Sequence, residues 1–313
     1  MSTASLVPET RWLSDDNAWR VLRRIGWRKL MKDAFRRMRV ADGFSHARSF
    51  AFMTSLVVIQ GMLAAVGLAS VLHKGVVSAM IVAAVRQVPG SGGHVLDSAV
   101  NQAHRDALQH QYAVILVVAL SALVTATLAM GQFERGLNRL YGIEQDRTSV
   151  KKYFIALVFV LSLGAMAVAA FVCFAFGHSL VHSVNNVVLD SVWFAVRWPL
   201  GLVLMGAVVT ILFRWSPRRA QPHVSWLAFG AAVAVFLWSV ATSALGVFFR
   251  SSASFGTTYG PLAGVVALLM WSLFSSISLF YGASLAAQLE AVRAGDPAPQ
   301  DVQKVEVSEP QSA

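Results

Sequence analysis

The chain has 313 residues, of which 56% are hydrophobic and only 13% charged, with a formal net charge of +10 at neutral pH. Soluble domains carry about 25% charged residues, and this composition in a water-soluble globule would leave large apolar patches exposed. An ordinary soluble protein is thereby excluded, and a single cysteine, Cys173, excludes an intrachain disulfide.

The first segment, residues 1–48, is polar and basic and shows no cleavable signal peptide; the apolar run after it is too long and wrongly flanked for a signal h-region. Within it, Trp27, Leu30, Met31, Ala34, Phe35, Met38 and Ala41 share one helical face, and Arg28, Lys29, Lys32, Arg36 and Arg39 share another. This pattern predicts an interfacial amphipathic helix on the inner leaflet, its five cations meeting anionic lipid head groups at about 1 kcal/mol each. The plainer role of the same charges is to fix topology. No nucleic-acid partner is expected, because neither an RNA-binding module nor interleaved aromatic residues accompany the basic run.

Six apolar runs of bilayer length follow, Ser49–Leu72, Tyr112–Met130, Tyr153–Phe176, Val192–Phe213, Ser225–Phe249 and Pro261–Leu289, and none contains Asp or Glu. They predict an all-α, polytopic membrane helix bundle of six transmembrane helices over residues 49–290. Tyr112, Tyr153, Trp193, Trp198, Trp215 and Trp226 fall near the expected interfaces, and Pro261 suits a first helical turn. Residues 73–111 are too many for a simple connector. Val76–Val88 is apolar but too short to span, Pro89–Gly93 is a break, and Leu96, Val100, Ala103 and Ala107 share a face, which together predict an outer helical hairpin. The tail, 291–313, with its Pro, Gln, Ser and Glu content from Ala294, is expected to be disordered.

Of the 26 Lys and Arg residues, 21 fall in the N-terminal segment, the second-to-third and fourth-to-fifth connections, and the tail. By the positive-inside rule these lie in the cytoplasm, with both termini, and the membrane is a bacterial plasma membrane.

Candidate functional residues are sparse. Arg197 is the lone ionisable residue within a predicted span; it either faces a cavity or snorkels to the interface. Buried Asp and Glu are missing, which argues against a carboxylate proton relay or Na⁺ site. A polar lining would have to come from groups such as Thr54, Gln60, Thr125, Ser272 and Ser276, whose simpler use is interhelical hydrogen bonding. Glu134 and Asn138 sit in a polar cluster, Glu134–Arg139, at the inner end of the second span, where they form an inner gate or ordinary ion pairs. The spacing Gly260/Gly264 and Gly282/Ala286 marks close helix packing first and contacts of a homo-oligomer second. His178 and His182 stand four apart, yet nothing in the sequence completes a metal site. With no nucleophile elbow, P-loop, HExxH or catalytic carboxylate pair, the expectation is a non-enzyme without cofactor or metal.

Four stretches resemble the BrkB/YihY family of bacterial inner-membrane proteins, and within it the YhjD-like branch. They are His46–Phe52; Gly136–Tyr141; Leu212–Pro217 followed by Phe229-Gly230-Ala231; and Tyr259-Gly260-Pro261-Leu262 with Trp271 and Gly282-Ala283. Where the family commonly has Glu after the last Gly-Ala, this chain has Ser284, and the family's Pro in the first span is replaced by Gln60 or absent. The resemblance implies a six-span bundle with a role in the envelope, and for that branch the movement of lipids or lipid-linked glycans between leaflets. On it, Tyr259 joins the candidate pathway residues, and membrane lipids are the expected partners. The alternative is a non-transporting scaffold or biogenesis factor. The family's older ribonuclease label lacks metal-binding carboxylates or a His pair here, with only His46 and His223 on the inner side.

Overall fold

The computed structural model describes residues 3–9, 18–71, 111–146, 150–162, 164–165, 187–222, 224–251 and 261–300. Eight helices run through them: α1 Ala18–Ile25, α2 Trp27–Val40, α3 Gly43–Val71, α4 Gln111–Leu140, α5 over residues 150–162, α6 Val187–Trp215, α7 Val224–Ser251 and α8 Pro261–Arg293. The chain is an all-α membrane helix bundle. Among the described residues, four stretches are long and apolar enough to cross a membrane, Gly43–Ala64, Ala113–Leu140, Val224–Ser251 and Leu262–Arg293, and Pro199–Trp215 is a shorter apolar helix. Pro199 lies inside α6, a position that membrane helices tolerate when neighbours satisfy the freed carbonyl. The predicted outer hairpin, Tyr259, His178 and His182 lie outside the described residues, and so does the side chain of Arg197, which falls within α6.

Helix boundaries follow local chemistry. Asp42 adopts φ 55° after α2, and its carbonyl accepts the Ser45 and His46 N–H bonds at 3.0 and 3.1 Å that start α3. The first spanning helix thus begins six residues before the predicted Ser49, because the turn and not hydropathy sets its start. Gly142 ends α4 at φ 75°. Its N–H bonds the Arg139 carbonyl at 3.0 Å and Ile143 N–H bonds that of Asn138 at 2.9 Å, a Schellman cap that needs glycine for its left-handed residue. Gly295 closes α8 in the same way, with Asp296 N–H on the Ala291 carbonyl at 3.0 Å.

Packing is tightest at one end of the bundle, which also carries α1, α2 and the exposed cations, and which we term the basic end. Phe50 of α3, Phe133 of α4 and Phe280 of α8 meet there with ring centroids 5.2, 6.1 and 5.5 Å apart, edge-tilted geometries favoured by the ring quadrupole. Gly136 makes room, since a Cβ on it would lie 2.3 Å from the Phe280 ring. Between α7 and α8, Gly230 and Gly282 approach so closely that a Cβ on either would meet the other's carbonyl oxygen at 2.5 Å, with Ala234 and Ala286 alongside. The small-residue spacing at Gly282 and Ala286 therefore serves packing within one chain. Away from the basic end, Val117, Val124, Phe236, Val240, Val247 and Leu262 are exposed, the surface a lipid-facing helix presents.

Two expectations change. Helix α2 does not rest its whole apolar face on a leaflet: Leu30, Ala34, Met38 and Ala41 are buried, while Trp27 and Phe35 stay exposed. The reason is that α8 extends to Arg293, beyond the apolar run, and offers α2 a protein surface. The tail also departs from disorder as far as Gln300. Ala4 and Gln300 form an antiparallel bridge, and Ser5 N–H bonds the Pro299 carbonyl at 3.2 Å.

Candidate functional site

Three residues of α8, at a spacing that puts them on one face, hold α2. Tyr281 and Ser284 donate hydroxyls to the carbonyls of Met31 at 3.2 Å and Ala34 at 2.6 Å. Gln288 accepts from Arg37 Nε at 2.7 Å. Ser284, where the resembled family commonly has Glu, is thus a buried link between helices.

Arg37 is fully buried. Besides Gln288 it donates to the Ser5 carbonyl at 3.0 Å, the Leu140 carbonyl at 3.2 Å, the Ser5 hydroxyl at 3.0 Å and the Ala298 carbonyl at 3.5 Å. All these acceptors are neutral. Desolvation pulls its pKa down to about 10, offset in part by Asp296 through space, so the guanidinium stays charged at neutral pH. Arg219 lies close enough to oppose that charge. It pairs with Glu290 at 2.6 Å, the side chains 4% and 1% exposed, and stacks 4.7 Å from the Tyr141 ring centroid. It also donates to the carbonyls of Val7 and Pro8, both at 3.2 Å. Burial, then the Glu290 carboxylate, push the Tyr141 phenol up.

A second cluster flanks this hub. Asn138 is fully buried, donates to Asp146 Oδ1 at 3.2 Å and accepts the Arg218 backbone N–H at 2.8 Å. Arg135 and Lys152 reach Asp146 Oδ2 at 3.2 and 3.9 Å. Partial burial works against the Asp146 carboxylate, but the Asn138 hydrogen bond and Lys152, Arg139 and Arg135 hold it below the usual carboxylate range. Glu134 is buried beside them. Arg135 of α4 and Lys152 of α5 thus meet through the Asp146 carboxylate.

The other predicted residues separate into two groups. Arg28, Lys29, Lys32, Arg36 and Arg39 are all exposed on α2, with Trp27 and Phe35 exposed among them. Within the spans, Thr54 and Thr125 turn their hydroxyls back to carbonyls four residues earlier, at 2.8 Å each. Gln60 Nε2 donates to Ser121 Oγ at 3.1 Å, joining α3 to α4. Ser272 and Ser276 are buried. Gln60 Oε1 and Ser272 Oγ are buried without a hydrogen-bond partner. Arg37, Arg219, Tyr141, Gln288 and Glu290 were missed by sequence reasoning. One signal was present: Arg37 stands three residues after Ala34 and seven after Leu30, a cation on the apolar stripe.

Long apolar helices and a buried ionic hub at one end define a polytopic helical membrane protein. The model of the family described as Virulence factor BrkB matches residues 34–306, and the chain belongs to that family. It is 24% identical over 272 residues to the UPF0761 membrane protein of Xanthomonas oryzae, covering 85% of this chain and 60% of the relative. A UPF0761 membrane protein of Halorhodospira halophila is 24% identical over 194 residues, 61% of this chain and 42% of that one. The Bacillus subtilis protein YfkH, whose name describes it as ribonuclease-like, is 22% identical over 175 residues, 54% of this chain and 63% of its own length. The chain thus spans less than two thirds of these relatives. No solved structure matches.

Proposed function

We propose that the protein moves an amphiphilic, anionic envelope lipid or lipid-linked glycan between the leaflets of a bacterial plasma membrane, with the basic end in the cytoplasm. The observation that carries this reading is a set of orphaned polar atoms in α3 and α8, Gln60 Oε1, Ser272 Oγ and Ser275 Oγ. They are buried and unpartnered, whereas buried polar groups that serve only the fold find partners. Polar side chains that pack helices together do so through hydrogen bonds between them, and these atoms make none. The exposed cations of α2 would gather anionic head groups at the mouth of such a path. The chemistry is physical displacement, with no bond made or broken, no cofactor and no nucleic acid.

The test is leaflet exchange in reconstituted vesicles, with a fluorescent anionic phospholipid and a membrane-impermeant quencher. Exchange above that of empty vesicles is expected, falling in Gln60→Leu and Ser272→Ala; exchange equal to empty vesicles for several native lipids refutes the reading. The close α7–α8 seam at Gly230 and Gly282 favours a rigid, non-transporting scaffold as the second reading. That scaffold would leave exchange at background and still retain partners through the same membrane.

A further inference from the structure

The buried charge of Arg37 is satisfied in an unusual way. Five hydrogen bonds leave its guanidinium and all end on neutral oxygens, three of them on Ser5 and Ala298 of the two chain ends. A buried cation is costly unless an anion is paired with it, and planar guanidinium groups match phosphate oxygens in pairs. Arg219, the neighbouring cation, is already paired with Glu290 at 2.6 Å and bonds the same N-terminal segment at Val7 and Pro8.

We propose that Arg37 is the binding group for a phosphate-bearing anion, beside the Arg219–Glu290 pair, and that the two chain ends cover it as a removable clasp. The proposal deepens the lipid-moving reading and rests on it for the source of the anion. Residues 3–9 are extended and irregular apart from the single bridge at Ala4. The bridge is closed by the Ser5 N–H on the Pro299 carbonyl at 3.2 Å. Outside it the segment is held by two backbone bonds, Thr3 N–H to the Val40 carbonyl at 3.2 Å and Val7 N–H to that of Tyr141 at 3.1 Å. Arg219 also bonds the Val7 and Pro8 carbonyls, and the Ala220 N–H bonds the Glu9 carboxylate. Ala4 and Val7 are buried, but Leu6 is 59% exposed. Opening the segment gives up these bonds, and charge-assisted bonds from a phosphate group would have to replace them. When the clasp lifts, Arg37 loses its three terminal acceptors and its helper Asp296 together, since Ala298 and Asp296 share one segment. Phosphate oxygens would replace neutral carbonyls with a true counter-charge. Arg36 and Arg39, exposed on the same helix, supply the positive approach.

The experiment uses the full chain in detergent, with Cys173→Ser and the pair Ser5→Cys and Ala298→Cys, so that oxidation locks the clasp and a reductant frees it. Short-chain phosphatidylglycerol and inorganic phosphate are titrated separately by calorimetry. The free form should bind about tenfold or more tightly than the locked form, a difference of about 1.4 kcal/mol. Gln288→Glu, which places a carboxylate beside Arg37 and gives up the bond from Gln288 Nε2 to the Pro297 carbonyl at 2.7 Å, should abolish binding in a protein that still melts cooperatively. Equal affinity in locked and free forms, or full affinity in Gln288→Glu, overturns the proposal. Binding of phosphatidylglycerol alone identifies a lipid head group; equal binding of inorganic phosphate supports the site with free phosphate as its ligand. Clasp-dependent binding together with absent leaflet exchange would refute transport and leave the anion site standing.

Discussion

Arg37 and Gln288 are 251 residues apart in the chain and 2.7 Å apart in the fold. That bond fixes α2 to the last helix at the level where both chain ends cross, and it makes Arg37 the most heavily bonded side chain of the hub. Removing it leaves the Gln288 carbonyl and the Ser5 and Leu140 oxygens without donors. Hydrogen bonds to a charged group contribute about 1.5–3 kcal/mol, so Arg37→Met should destabilise the protein by about 3 kcal/mol or more. Arg36→Met, exposed one residue away, should change stability by less than about 0.5 kcal/mol. Unfolding of both variants in detergent, followed by tryptophan fluorescence, measures the contrast.

How legible this arrangement was in the sequence depends on the scale of the signal. Apolar runs of bilayer length and the pile-up of cations beside α2 are properties of whole segments, and hydropathy alone located the four long spans, though it ended the second at Met130 where the helix runs on to Leu140. The exposed set Arg28, Lys29, Lys32, Arg36 and Arg39 followed from helical period, which survives any tertiary context. The hub did not. Arg37, Arg219 and Glu290 meet only because Schellman turns at Gly142 and Gly295 steer two helix ends onto the N-terminal residues, and a turn's direction is not written in composition. The tail from Ala294 misled for the same reason: its residues avoid secondary structure, yet the irregular N-terminal residues 3–9 bond to it, through the Ala4–Gln300 bridge and the Ser5 N–H on the Pro299 carbonyl. Ser284 carried no sequence signal at all, since a serine among small residues serves equally as a spacer.

The seam between α7 and α8 gives a second test. A Cβ at Gly282 would lie 2.5 Å from the Gly230 carbonyl oxygen and 2.6 Å from Ala234 Cβ. Backbone atoms cannot swing aside as side-chain tips can, so the helices themselves must part. Overpacking a tight core costs about 1–3 kcal/mol, and Gly282→Val should reach at least the upper end of that range. Gly206 is the control: a Cβ there meets nothing within 4 Å, so Gly206→Ala should be neutral or stabilising by about 0.5–1 kcal/mol through reduced backbone entropy. Thermal denaturation of the two purified variants separates the cases.

Asp146 predicts how the basic end responds to acid. Partial burial alone would raise its folded pKa, but the Asn138 hydrogen bond and the nearby cations outweigh that and hold it below the ordinary carboxylate value. A carboxylate with a depressed folded pKa stabilises the fold at every pH above its unfolded value, and that contribution is lost as pH falls through the folded value. The window therefore lies below about pH 4. Asp146→Asn should melt lower than the wild type at neutral pH by a constant margin, and the margin should close in stronger acid. A margin that stays unchanged down to the acid transition would show that Asp146 is not the titrating group.

The exposed cations of α2 predict a dependence on lipid charge separate from anything in the spans. Five of them, Arg28, Lys29, Lys32, Arg36 and Arg39, face away from the packed surface of the helix, and Trp27 and Phe35 stand exposed beside them. Each cation near an anionic surface contributes about 1 kcal/mol, and exposed charges are screened at a Debye length of about 8 Å in physiological salt. Replacing all five with Gln should leave the fold intact, because none of the five is buried. It should also weaken retention of anionic lipid by the purified protein far more than retention of zwitterionic lipid. The wild-type preference should shrink as salt is raised, while that of the variant, already small, should barely move. Quantifying co-purified and exchanged lipids by mass spectrometry at low and high salt tests this, and equal retention by wild type and variant at low salt would remove α2 from any account of lipid contact.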